Sequence, residues 1–212
     1  LGGGGFMLIY IKEKNEIYYI DYRSTSPLNS NLENIFDLVN TTDTPYEVVP
    51  KSFDDKKFDI VDTGYKASAV PGTVAGLLDA HANFGKLKLK DILEPVIALA
   101  ENGIQVSYDL HKAIESTPRL FNDPESQRIY FRDGKPIEEF SILKLPDLAN
   151  TFKLISKHGK DGFYKGETAM RIDEAMNKNN GLITLNDLNN YQADFRQPIS
   201  TNYRGNKVFT AG

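Results

Sequence analysis

Two strand-like runs at the front of the chain, separated by a short charged turn, constrain the fold most. Residues 6–11 are almost wholly apolar, residues 17–22 are rich in tyrosine and isoleucine, and residues 12–16 between them are mostly charged. Two such runs that follow each other closely predict an antiparallel hairpin. The near-continuous apolarity of the first run also predicts a strand that is buried on both faces.

The rest of the chain predicts helices in the middle and β structure at the end. Residues 24–68 are interpreted as a long surface excursion with one helical patch at 32–39, and residues 202–209 return to β character. Because strands and helices do not alternate as βαβ units, the sequence predicts a segregated α+β fold. Apolar periodicity and stop signals predict helices over residues 72–84, 89–101, 109–116, 148–158, 166–178 and 186–191.

Pro95 is the weak point of the second predicted helix, because proline is tolerated in a helix mainly in its first turn. The prediction remains a helix over residues 89–101, in which Pro95 is tolerable only if it lies in the first turn.

Composition excludes several classes of protein. The chain has 212 residues, of which 40% are hydrophobic, so a single domain over residues 1–212 is expected. The net charge of −4 and the lack of a basic run argue against nucleic acid as a partner. Without cysteine, disulfides, thiolate catalysis and thiolate metal sites are excluded, and the compartment cannot be inferred. The apolar runs are shorter than the roughly 20 residues that a membrane span needs.

Both ends of the chain look abrupt. It opens with Leu1 and four glycines, and it stops at Gly212 directly after a strand-like run. We expect a fragment that is truncated at both ends. A signal peptide lost upstream would imply an extracytoplasmic location, and a cytoplasmic location is equally open.

The glycine run and the three histidines offer little for catalysis. Residues 2–5 precede a strand and lack the lysine of a phosphate-binding loop, so close backbone packing is the better interpretation. His81, His111 and His158 stand singly, with no spacing typical of a metal site or a catalytic triad. Metal ligands and organic cofactors are therefore not predicted.

Arg23 is the candidate binding residue. It ends the second strand-like run, where a rigid hairpin could present its guanidinium at the tip. A guanidinium binds a carboxylate through two parallel hydrogen bonds, so Arg23 is a candidate anchor for a substrate carboxylate. Asp21, two residues earlier, could be a catalytic carboxylate, but a turn or ion-pair role is more frequent at a strand end.

Seven sets of short segments carry a family resemblance when they are taken together. One of them is Ala-Val-Pro-Gly-Thr-Val-Ala-Gly at residues 69–76. The full set is residues 2–9, 21–23 with 26–27, 69–76, 84–85 with 93–100, 159–166, 180–184 with 187–188, and 203–205. In this order the segments resemble the large subunit of gamma-glutamyltranspeptidases, and the common order makes the resemblance more specific than any one of them.

The resemblance implies the large-subunit part of a four-layer αββα N-terminal nucleophile hydrolase, made when a precursor cleaves itself. It implies a γ-glutamyl hydrolase or transferase that acts on amides such as glutathione. Its nucleophile would be the N-terminal threonine of a small subunit, with that residue's own amine as base. No catalytic residue is then expected in this chain, which alone would be inactive. Thr41-Thr42 superficially resembles the cleavage site and is assigned no role.

Within the resemblance, Arg23 matches the arginine that binds the α-carboxylate of the glutamyl group. Many members have glutamate after this arginine, whereas this chain has Ser24, which leaves the substrate open. The alternatives are an acylase or poly-γ-glutamate depolymerase on the same fold, and a non-catalytic binding or structural module. Assembly into a dimer of heterodimers is also left open.

Overall fold

A computed structural model describes residues 1–31 and 64–212. The predicted helical patch at 32–39 and the Thr41-Thr42 pair lie outside the described residues. The chain divides into two compact units: Leu1–Gly85 with Lys160–Gly212, and Lys86–Gly159. We call these the first and the second unit.

The first unit is built on the predicted hairpin. Strands β1 (Gly5–Ile11) and β2 (Glu16–Tyr22) pair antiparallel, with Gly5 opposite Tyr22 and Ile11 opposite Glu16. A later strand, β7 (Asp194–Arg196), pairs antiparallel with β2, which gives the order β1-β2-β7. The predicted hairpin is confirmed.

The expectation that β1 is buried on both faces is wrong. Phe6, Leu8 and Tyr10 are 52%, 38% and 56% exposed, while the residues between them are half-buried. Helix α1 (Thr73–Phe84) covers one face of the sheet, where the Tyr18 and Phe84 rings lie 4.8 Å apart. The opposite face carries Phe6, Leu8 and Tyr10, together with Tyr19, which pairs with Leu8. Tyr19 is buried and its hydroxyl donates to the Gly212 carbonyl oxygen at 3.4 Å, so the C-terminal residues cover part of this face.

The remaining helices of the first unit match the prediction, with one short addition. Helices α7 and α8 are close to the predicted stretches, and α6 was not predicted. The bounds are α6 (Asp161–Tyr164), α7 (Gly166–Lys178) and α8 (Leu185–Asn190). The predicted terminal β segment is a hairpin of β8 (Ile199–Tyr203) and β9 (Asn206–Thr210), because Arg204 and Gly205 take the positive φ angles of a tight turn.

The second unit is mainly helical. Its buried core contains Val106, Ile114, Ile137 and Leu143. The helices are α2 (Leu89–Asn102), α3 (Tyr108–Glu115), α4 (Pro124–Tyr130) and α5 (Pro146–His158). Two short antiparallel pairs complete it: β3 (Ile104–Gln105) with β6 (Ile142–Leu143), and β4 (Phe131–Arg132) with β5 (Lys135–Pro136).

The predicted helix over residues 89–101 is confirmed as α2, but Pro95 lies inside it and not in its first turn. Proline lacks the N–H that would bond to the carbonyl of Asp91. Both residues are exposed, so water can solvate that carbonyl.

The described sheets are all antiparallel, and no described pair of strands is joined as a parallel βαβ unit. The predicted α+β class is confirmed. Within the described residues, no helix is both long and apolar enough to cross a membrane.

Candidate functional site

Arg23 directly follows β2, at the open end of the β1–β2 hairpin. The expected position at the tip is wrong, because the hairpin turn lies at residues 12–15, at the opposite end. The side chain of Arg23 is exposed, and its hydrogen bonds with described residues run through its backbone. Within the part of the chain that the structure describes, its guanidinium is therefore open to a ligand.

Two side chains hold the backbone of Arg23, one from each side. The Arg23 N–H donates to Asp21 Oδ1 at 3.1 Å, and the Tyr191 hydroxyl donates to the Arg23 carbonyl oxygen at 2.8 Å. Asp21 Oδ2 also lies 3.4 Å from a guanidinium nitrogen of Arg196 on β7. Asp21 thus has the structural role that the sequence favoured for it.

The glycine run packs against the same point. A Cβ on Gly4 would lie 2.3 Å from Ser24 N and 2.7 Å from the carbonyl carbon of Arg23. The carbonyl oxygen of Gly3 accepts hydrogen bonds from the N–H groups of Gly72 and Thr73, at 2.9 and 3.0 Å. This confirms the close-packing interpretation for Gly4, where a side chain has no room.

The segment at residues 69–76 packs against the residues on either side of Arg23. Val70 and Thr25 exchange two backbone hydrogen bonds, at 2.8 and 3.2 Å. A Cβ on Gly72 would lie 2.1 Å from the Tyr191 hydroxyl, and one on Gly76 would lie 2.1 Å from Tyr22 Cγ. Both glycines therefore leave space for a tyrosine that borders Arg23.

Tyr164 supports Tyr191. Their rings stack with centroids 5.6 Å apart and an 8° angle between the planes. The buried Tyr164 hydroxyl donates to the Pro71 carbonyl at 2.7 Å and accepts from the Ala75 N–H at 3.2 Å. Burial raises the pKa of Tyr164, and burial together with the charges of Asp21 and Asp194 raises the pKa of Tyr191 to about 12. Near neutral pH both phenols therefore keep their protons and act as hydrogen-bond donors.

Asp187 anchors the chain that leads away from Arg23. Its Oδ1 accepts the Leu28 N–H at 2.7 Å, and its Oδ2 accepts the N–H and hydroxyl of Thr184 at 2.8 and 2.6 Å. Thr184 and Asp187 form a capping box at the start of α8. Burial by itself would raise the pKa of the Asp187 carboxyl, but these hydrogen bonds lower it on balance.

Sequence analysis missed Tyr164 and Tyr191 as members of this site. Tyr164 lies inside the matching segment 159–166, whereas no motif marked Tyr191. His111 has a structural role, since its Nδ1 lies 2.9 Å from the Ile137 carbonyl oxygen. Across residues 1–31 and 64–212, no cluster of three or more histidine, aspartate or glutamate residues could hold a metal.

The arrangement is suited to binding an anion. The exposed guanidinium of Arg23 stands on a backbone held by a carboxylate, a phenol and a tightly packed glycine. Such a rigid support favours precise placement of a bound carboxylate.

Comparison with known proteins shows which family the chain resembles over its whole length. The model of the family Gamma-glutamyltranspeptidase matches residues 1–212. The glutathione hydrolase proenzyme of Pseudomonas aeruginosa is 34% identical over 215 residues, covering 100% of this chain and 34% of the relative. The capsule biosynthesis protein CapD proenzyme of Bacillus anthracis is 34% identical over 212 residues, covering 100% of this chain and 33% of the relative. The chain thus spans about a third of the length of these curated relatives.

The fold is also that of solved members. The crystal structure of Helicobacter pylori gamma-glutamyltranspeptidase aligns with a TM-score of 0.87 and 32% identity, covering 100% of this chain and 57% of that chain. The expected N-terminal nucleophile hydrolase fold is confirmed. The chain belongs to the gamma-glutamyltranspeptidase family.

Proposed function

We propose that this chain is the large-subunit part of a γ-glutamyl hydrolase or transferase, and that Arg23 binds the α-carboxylate of the γ-glutamyl donor. The observation that carries the proposal is the exposed guanidinium of Arg23 on a backbone that Asp21 and Tyr191 hold. The names of the relatives, which are glutathione hydrolase proenzymes, support the substrate class.

Catalysis in this proposal needs a partner. The N-terminal threonine of a small subunit attacks the γ-glutamyl amide with its amine as base, and an acyl-enzyme passes the glutamyl group to water or to an amino acceptor. Arg23 places the scissile carbonyl by holding the far end of the donor. The chain alone is then inactive, and no metal or organic cofactor takes part.

The exposed side chains of β1 favour the hypothesis that a second subunit binds the sheet. Phe6, Leu8 and Tyr10 form an apolar row on the face of β1 opposite to α1. A second sheet stacked on this face would complete the two inner layers of an αββα sandwich. The small subunit is the proposed source of that sheet.

This contact can be tested with a matched pair of leucines. In the full-length gene product, Leu8→Glu should reduce co-purification of the two processed subunits, because a charge would be buried between the sheets. Leu77→Glu is the control, since Leu77 is 45% exposed on α1 and Leu8 is 38% exposed on β1. Equal recovery of both variants would contradict the proposed interface.

A related chemistry on the same fold remains the second candidate. The relative named as a capsule biosynthesis proenzyme matches this chain as closely as the glutathione hydrolases do. Ser24, beside Arg23, also departs from the acidic neighbour of many members. An acylase or poly-γ-glutamate depolymerase would keep the scaffold and change the substrate.

The deciding experiment follows self-cleavage and turnover in the full-length gene product. Mass analysis reports cleavage, and γ-glutamyl anilide reports turnover in wild type, Arg23→Ala and the surface control Arg171→Ala. We expect KM to rise at least about 10-fold in Arg23→Ala, because a charge-assisted contact with the carboxylate is lost, and to stay at the wild-type value in Arg171→Ala.

The other outcomes select an alternative. Cleavage without γ-glutamyl turnover would favour the acylase or depolymerase, and dicarboxylic-acyl amides and polyglutamate would separate those two. If no cleavage occurred, the non-catalytic module would be favoured.

A further inference from the structure

The hydroxyl of Tyr191 is the least expected contact around Arg23. Tyr191 directly follows α8 and lies 168 positions after Arg23 in the sequence. Its hydroxyl nevertheless donates to the Arg23 carbonyl oxygen at 2.8 Å. Arg23 lies beyond the last paired residue of β2, so no strand of the β1-β2-β7 sheet holds that carbonyl. This hydrogen bond therefore defines where the backbone of Arg23 lies after the strand ends.

Several other features keep the hydroxyl in place. The Tyr191 ring stacks on the ring of buried Tyr164, which in turn bonds to the backbone of Pro71 and Ala75. Gly72 leaves the space that the Tyr191 hydroxyl occupies, since a Cβ there would lie 2.1 Å from it. A flexible surface tyrosine would not need this support.

We propose that Tyr191 is a positioning residue for substrate recognition: its hydroxyl holds the Arg23 carbonyl so that the guanidinium meets the α-carboxylate of the donor. The inference rests on the proposed function.

The inference predicts a loss confined to substrates that carry the α-carboxylate. Tyr191→Phe removes the hydroxyl and keeps the ring that stacks on Tyr164. A hydrogen bond of this kind affects binding by about 2- to 10-fold, so we expect KM for γ-glutamyl anilide to rise by that factor with kcat nearly unchanged. Turnover of 4-aminobutyryl anilide, which lacks the α-carboxylate, should not change.

The experiment compares four forms of the full-length, self-cleaved protein: wild type, Tyr191→Phe, Arg23→Ala and Tyr203→Phe. Tyr203 is the matched control, because it is 61% exposed on β8 and its ring contacts the Arg204 guanidinium. The readout is the ratio of kcat/KM for γ-glutamyl anilide to that for 4-aminobutyryl anilide. A merely structural lesion lowers both rates and leaves the ratio unchanged.

The expected result is a large fall of this ratio in Arg23→Ala, a fall of about 2- to 10-fold in Tyr191→Phe, and none in Tyr203→Phe. If Arg23→Ala lowers the ratio and Tyr191→Phe does not, the positioning role is overturned and the proposed function stands. If Arg23→Ala leaves the ratio unchanged, Arg23 is not the carboxylate anchor, and both proposals are overturned.

The double variant adds a second test. When Arg23 is already alanine, removal of the Tyr191 hydroxyl should have no further effect on the ratio, because the two residues act through one contact. Independent, multiplying losses would also overturn the positioning role.

Discussion

Replacing Gly4 by alanine should impair carboxylate binding although residue 4 carries no functional group. The new Cβ would lie 2.3 Å from Ser24 N, 2.6 Å from the Tyr22 carbonyl oxygen and 2.7 Å from the Arg23 carbonyl carbon. These are backbone atoms, so no side-chain rotation can relieve the contact. To restore ordinary contact at 3.4 Å, the backbone at Arg23 has to move by roughly 1 Å.

A displacement of this size is large for a binding group. Overpacking costs about 1–3 kcal/mol, and misplacing a binding group by about 1 Å can reduce turnover by up to roughly 100-fold. We expect Gly4→Ala to raise KM for γ-glutamyl anilide by at least about 10-fold, and to lower the midpoint of thermal unfolding.

The neighbouring glycines supply the controls for this prediction. A Cβ on Gly2 meets nothing within 4 Å, and one on Gly3 meets only the Thr73 hydroxyl, at 3.8 Å. Gly2→Ala and Gly3→Ala should therefore keep the wild-type KM. The reasoning would be refuted if Gly4→Ala had the same KM and thermal midpoint as Gly2→Ala.

Two further substitutions test the packing around the site. Gly76→Ala should lower the thermal midpoint: alanine gains about 1 kcal/mol of helix propensity, but its Cβ would lie 2.1–2.4 Å from the near end of the Tyr22 side chain, and such overpacking costs about 1–3 kcal/mol. A higher midpoint would mean that propensity outweighs the clash. Asp187→Asn should destabilise the protein by about 1–3 kcal/mol. The new amide NH2 would face a backbone N–H group whose hydrogen bond the carboxylate now accepts. Since the folded protein lowers the pKa of Asp187 from its ordinary 3.8, the carboxylate's contribution is complete above that value and is lost as the pH falls through the folded pKa. Acid titration of stability should show this loss in wild type and a smaller one in Asp187→Asn; identical profiles would contradict it.

Local sequence patterns predicted most of the elements correctly. The β1–β2 hairpin follows from two β-rich runs around a short turn, and α7 follows from apolar periodicity that ends near Asn180-Gly181. Pro95 shows the limit of a local rule: the cost of proline inside a helix depends on whether the freed carbonyl reaches water. Likewise, the apolarity of β1 predicted burial on two faces, but a strand's own residues do not show which layers lie beside it.

The sequence by itself determined the α+β class, the β1–β2 hairpin, six of the helices, the family resemblance and Arg23 as the candidate anchor, whereas α4, α6 and β3–β7 were not predicted. Only the tertiary structure decided that Gly4, Asp21 and Tyr191 meet at the backbone of Arg23. The physical reason is range. Helices, turns and caps depend on neighbours a few residues apart, whereas the contact between Tyr191 and Arg23 joins residues separated by 168 positions, and only the packing of α8 against the rest of the first unit brings them together.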